Sequence, residues 1–205
     1  MQKKNTRRPS LKPRKTPSQG RSVETVNVIL EATARILEER GLVGYTTNAV
    51  AERAGVSIGS LYQYFPGKDA LTIALIEQES NVLLTEIGAA TAERVFRTAL
   101  NRMIRVAVEH QMRRPRLARL LDFEEARLPV RARNLRVSSV IHDALMLLFR
   151  KDDAPSIDDP ETIAFDVLAI VRGILDAAGE RKETDALQLE FRVRRAVFGY
   201  LKASK

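Results

Sequence analysis

The chain has 205 residues, 44% hydrophobic and 29% charged, with no cysteine and no tryptophan. That length and balance suit one or two globular domains rather than a disordered polymer, and the missing cysteines exclude a disulfide framework, a thiolate metal site and a thiol nucleophile. The net charge of +8 lies in the first 21 residues, where Lys3, Lys4, Arg7, Arg8, Lys12, Arg14, Lys15 and Arg21 meet no acidic residue, leaving 26 Lys and Arg against 26 Asp and Glu beyond them.

Pro9, Pro13 and Pro17 keep residues 1–21 out of a helix, so this arm is expected to be extended and disordered. A cationic arm of this kind follows nucleic acid phosphates or a minor groove; the competing reading is a solubilising tail. The basic start is not followed by the apolar stretch of a secretory signal, and no apolar run is long enough to span a bilayer. A cytoplasmic protein without a membrane partner is therefore expected.

The first helix is predicted over 22–40, from Val26, Ile29, Leu30, Thr33, Ile36 and Leu37 at helical spacing, with Gly41 as its stop. A short helix follows from near Thr47 to Gly55, capped by Thr47 or Thr46, and another from Ser57, itself a good cap, to near Phe65. Two short helices joined through a glycine turn make a helix-turn-helix, whose second helix enters the major groove of DNA. Ala49, Val50, Ala54, Val56, Leu61 and Phe65 are its expected inward residues.

The opposite face carries residues small enough for a backbone to approach or polar enough to reach base edges: Ile58, Gly59, Ser60 and Gln63. Gln63 suits adenine, Ser60 several bases and Ile58 a thymine methyl. Tyr62 and Tyr64 carry hydroxyls suited to phosphate oxygens, and Lys68 opens the next helix, where ammonium and free N–H groups together suit an anion. With Thr46, Thr47 and Ser57 these residues make the candidate DNA surface. Taken singly, the tyrosines also read as half-buried packing residues and Lys68 as a solvated one. Residues 22–70 sum to a net charge of −2, so much of the attraction for DNA is expected to come from the arm.

In this order and spacing, ILEATARILEERGLVGYTTNAVAERAGVSIGSLYQYFPGKDAL resembles the DNA-binding domain of TetR-type transcriptional regulators, over about residues 22–75. The resemblance implies an all-α homodimer of about nine helices, with a helix-turn-helix domain at 22–68 and a larger ligand-binding and dimerisation domain at 69–205. It also implies that Thr47, Ser60, Tyr62, Tyr64 and Lys68 contact operator DNA, and that a small-molecule effector governs a repressor. A DNA-binding scaffold or architectural protein without an effector is the alternative.

Beyond Pro66-Gly67 a long helix starts at Lys68, followed by helices predicted at 91–113, 116–127, 131–150, 160–178 and 185–203, with Gly179 as a C-terminal cap. The last two carry the expected dimer interface: Ile163, Val167, Ile170, Gly173, Ile174 and Ala177 on one, Leu187, Phe191, Val197, Phe198 and Leu201 on the other. The competing reading packs them within one subunit. Residues 94–136 carry a net +8 and 150–190 a net −6. This reads either as opposed solvated faces or as arginines lining a cavity for an acidic ligand. Polar or aromatic residues within apolar helices, Met103, His110, Phe123, His142, Met146 and Phe165, are the candidate effector contacts. No nucleophile–base pair, phosphate loop or metal spacing appears, so neither catalysis nor a cofactor nor a metal is expected.

Overall fold

The computed structural model describes residues 20–203, all in helices and their connections. Nine helices follow in order among them: α1 (Gly20–Gly44), α2 (Thr47–Ala54), α3 (Ile58–Tyr64), α4 (Lys68–Ala90), α5 (Phe96–Arg113), α6 (Pro115–Arg127), α7 (Arg131–Phe149), α8 (Pro160–Glu180) and α9 (Ala186–Ala203). The predicted arm lies outside the described residues, except that α1 already begins at Gly20. Among the described residues, no helix is long and apolar enough to cross a membrane.

The chain divides into two compact units. Among the described residues, one comprises 20–78 with 120–128, the other 79–119 with 129–203. The boundary read from the sequence, after residue 68, falls inside the first unit, which continues into α4 and also takes the second half of α6. In this unit Ile29, Ile36, Leu37, Val50, Leu61, Phe65, Leu71 and Leu75 are buried. Each such side chain contributes about 1.5–3 kcal/mol when fully buried. Leu121 and Glu124 on the last turns of α6, and Leu128 just beyond its end, are buried as well.

Gly41 has φ 63° and ψ −167°, a backbone that side-chain-bearing residues avoid. It kinks α1 where a stop is predicted. In the second unit α8 packs on α7 and α9, and α9 on α5. Their core includes Leu100, Met103, Leu145, Leu148, Val167, Val193 and Val197.

Two helix ends differ from the sequence reading. A helix is predicted from residue 91, but α4 runs to Ala90 and α5 starts at Phe96. The Phe96 N–H is capped by the Asp153 carboxylate, 2.9 Å from either oxygen, a partner 57 residues away. Gly179 is not the cap of α8. Instead Lys182 takes the left-handed conformation, φ 56°, and its N–H bonds the Gly179 carbonyl while the Glu183 N–H bonds that of Ala178. A Cβ on Gly179 would lie 3.1 Å from Gln111 Nε2.

Candidate nucleic-acid interface

Each end of α2 and the start of α3 is fixed by a local cap. Thr46, rather than Thr47, is the N-cap of α2, its hydroxyl accepting from the Ala49 N–H at 3.1 Å. Gly55 closes α2 with φ 66°; its N–H bonds the Glu52 carbonyl and the Val56 N–H that of Ala51. This crossed pair is the usual exit for a left-handed glycine, and it sets the angle between the two helices. Ser57 then caps α3, accepting from the Ser60 N–H at 3.0 Å, with the two serine hydroxyls 2.8 Å apart.

One side of α3 is thereby committed to the core through Leu61, with Phe65 buried just beyond it. The other side is open: Ile58 is 39% exposed, Tyr62 40%, and Gly59 and Gln63 are exposed too. A Cβ on Gly59 would meet only Ser57 Oγ, at an ordinary 3.8 Å. The fold itself therefore does not require glycine there, although glycine costs a helix about 1 kcal/mol relative to alanine. Thr47 and Tyr62 join α2 to α3 through their hydroxyls, 3.2 Å apart. Ser60, Tyr64 and Thr47 are half-buried, so less of each faces outward than of Gln63.

Lys68 is held from within. Its Nζ donates to the Leu42 carbonyl at 3.3 Å and sits 4.6 Å from the centre of the Tyr45 ring. Tyr45 is 1% exposed; its hydroxyl donates to the Lys68 carbonyl and lies 3.1 Å from Thr72 Oγ1. Burial pushes the Tyr45 phenol well above its ordinary pKa, so it stays a neutral donor. Tyr45 is absent from the residues picked out by sequence. An aromatic directly before the Thr46 cap was the available signal.

The surroundings add little positive charge. Arg53 grips the exposed Glu39 with both nitrogens, at 2.5 and 2.7 Å, and this bond lowers the Glu39 pKa. Arg35 pairs with Glu31 at 2.7 Å. The face formed by α2 and α3 offers neutral donors and acceptors instead.

The candidate effector residues differ in burial and in the unit that holds them. Met103 is buried in the second unit's core and Met146 packs partly against it. Phe123 is 63% exposed and belongs to the first unit. His142 and Phe165 do meet, ring centres 4.4 Å apart, with His142 Nε2 buried and unpartnered. His110 is half-buried with Nδ1 unpartnered, and desolvation, then the nearby Arg113, lowers its pKa. Several arginines of the central helices form surface ion pairs, such as Arg102 with Glu93 at 2.6 Å and Arg113 with Glu86 at 3.2 Å.

The expected dimer residues divide in two. Ile163, Val167, Val197 and Leu201 are buried in this chain's own core and offer no surface to a partner. Ile170, Ile174, Ala177 and Phe198 are half-buried. Gly173 is open, with no atom within 4 Å of a Cβ built there, and Leu187 and Phe191 are 80% and 57% exposed. A groove of about 430 Å³ runs past Gly173, Ala177, Arg192 and Arg195.

Against known proteins, the profile of bacterial regulatory proteins of the tetR family matches residues 29–75. The profile of tetracyclin repressor-like C-terminal domains matches residues 96–201, just over half the chain. Nucleoid occlusion factor SlmA of Haemophilus influenzae is 34% identical over 99 residues, 45% of each chain, so the match spans less than half of that relative. An uncharacterized HTH-type transcriptional regulator of Mycobacterium tuberculosis is 30% identical over 135 residues, 66% of this chain and 65% of that one. A TetR transcription regulator from Haloarcula marismortui superposes with a TM-score of 0.74 at 18% identity, covering 89% of this chain and 98% of its own. The fatty acid degradation regulator FadR from Bacillus halodurans gives 0.71 at 17%, covering 89% and 97%. At such identities these structures share the fold.

Proposed function

The chain belongs to the TetR family of bacterial regulatory proteins, and we propose from this that it is a cytoplasmic, homodimeric repressor that reads operator DNA with α3 and releases it on binding a small molecule. The observation that carries the DNA reading is the open side of α3: Ile58, Gly59, Tyr62 and Gln63 face outward on a helix whose other side is fixed by Leu61 and Ser57. Gly59 permits close approach, Gln63 and Ile58 address base edges, and Thr47, Ser60, Tyr62, Tyr64 and Lys68 face the backbone of the groove. Dimerisation would use the exposed Gly173, Leu187 and Phe191, and would place two copies of α3 in successive major grooves. The effector would bind the non-reading arrangement better than the reading one, with His142 and Phe165 the best-placed of the candidate contacts.

The test is to incubate the full chain with a random-sequence duplex library and sequence what it retains. Enrichment of a two-fold symmetric site is expected; no enrichment over input would sink the reading. A scaffold without an effector is the second reading, favoured by the similarity to a nucleoid occlusion factor. Thermal shift against a metabolite library separates the two. A stabilising compound that also weakens DNA binding supports the effector, and its absence supports the scaffold.

A further inference from the structure

The last turns of α6 belong to the compact unit that carries α2 and α3, although they follow α3 by more than fifty residues. They are seated by Leu121 and Leu128, and between these lies Glu124, a carboxylate only 4% exposed. Its partner is Arg127, whose Nε and Nη2 donate to Glu124 Oε2 at 3.1 and 2.6 Å. The same Nη2 donates to Asp69 Oδ1 at 2.6 Å. Arg127 thus ties a buried acid on α6 to the first turn of α4.

That turn is where the position of α3 is fixed. Phe65, the C-cap of α3, is buried, and only Pro66 and Gly67 separate it from Lys68. The Lys68 carbonyl receives both the Tyr45 and Thr72 hydroxyls, and the Lys68 ammonium lies over Tyr45. A shift of Asp69 would therefore move Lys68 and the end of α3 together.

We infer that Arg127 is a positioning residue for DNA reading: by bridging Glu124 to Asp69 it fixes the first turn of α4 and, through it, the end of α3. It does so without touching DNA, and the inference rests on the DNA-binding reading above. Asp69 and Arg127 are both more than 40% exposed, so their bond alone adds little stability. The buried carboxylate adds the leverage. Without Arg127, Glu124 is left in the core with no guanidinium and must either take up a proton or draw the end of α6 toward water.

The experiment uses the full chain and a duplex that the wild type selects from a random library, read by fluorescence anisotropy. Arg127→Met should weaken binding roughly tenfold. Glu124→Met with Arg127→Met replaces the buried pair by apolar groups and should restore the melting temperature while leaving DNA binding weak. Recovery of affinity together with stability would overturn the inference, because Arg127 would then serve the fold alone. Asp69→Asn, a surface change with little risk to folding, should weaken binding comparably and add nothing to Arg127→Met. Full additivity, or an Asp69→Asn variant with wild-type affinity, would count against the inference. A wild type that selects no duplex would instead sink the DNA-binding reading itself.

Discussion

The ammonium of Lys68 lies 4.6 Å from the centre of the Tyr45 ring, so this lysine, read from sequence as a free phosphate contact, is also part of the packing. Its carbonyl is the acceptor for the Tyr45 hydroxyl. Both roles predict a dual effect. Lys68→Met should lower the melting temperature, since a cation over a ring contributes about 0.5–1 kcal/mol, and should also weaken DNA binding. Tyr45→Phe should cost about 1 kcal/mol through the missing hydrogen bond, with a smaller effect on DNA. Chemical denaturation and anisotropy on the same variants check this; a Lys68→Met protein of unchanged stability would contradict the packing role.

At Gly59 stability and function should move in opposite directions. The fold leaves room for a Cβ there, 3.8 Å from its nearest neighbour. Gly59→Ala should raise stability by up to about 1 kcal/mol, as alanine is the better helix former. If α3 lies in the groove with Gly59 toward the DNA, the same methyl should weaken binding by about tenfold. A variant both more stable and equally tight would show that Gly59 faces away from DNA.

Lys182 holds a left-handed backbone, φ 56°, at the exit of α8. A side chain in that region costs about 1 kcal/mol, and glycine avoids it. Lys182→Gly should therefore stabilise the chain by about that amount, measured by urea denaturation. At Gly179 the helix gain of alanine is opposed by Gln111 Nε2, 3.1 Å from the added Cβ, so Gly179→Ala should stabilise less than Lys182→Gly.

His110 gives a pH dependence with a defined sign. Burial lowers its pKa from the ordinary 6.5, so the folded chain keeps it neutral where the unfolded chain takes a proton. Its neutrality costs nothing above pH 6.5, and stability falls as pH drops below that value toward the folded pKa. His110→Gln should flatten this part of the stability profile. An unchanged profile would show that other groups dominate it.

What the sequence revealed was local. The cap at Thr46 or Thr47, the cap Ser57, the left-handed Gly55 and the break at Gly41, read as a stop and found as a kink, all act within a few residues, and each is visible as a residue type at a spacing. What it concealed was set by distant partners. The start of α5 depends on Asp153, 57 residues further on, and the seat of α4 on Arg127, 58 residues on. Periodicity marked the apolar stripes of α8 and α9 but not what covers them. Val167 and Val197 are covered by this chain's own core, while Leu187 and Phe191 are left open. The candidate effector residues differ in burial for the same reason: a methionine or phenylalanine at helical spacing looks alike whether core, as Met103, or surface, as Phe123.

The final prediction concerns charge. Two arginines near the proposed reading face are already committed, Arg53 to Glu39 and Arg35 to Glu31. Neutral donors position a duplex but release few counterions, so they contribute little long-range attraction. The residues before α1 carry Lys3, Lys4, Arg7, Arg8, Lys12, Arg14 and Lys15. If these cations meet phosphates, deleting residues 1–19 should weaken binding most at low salt and flatten the dependence of log K on log salt, by about 0.9 for each phosphate no longer neutralised. The preference among sequences should survive, since Gln63 and Ile58 remain. Titrations at several salt concentrations with the full and shortened chains decide the matter. An unchanged slope would leave the arm as a solubilising tail and return the electrostatic attraction to the helical body.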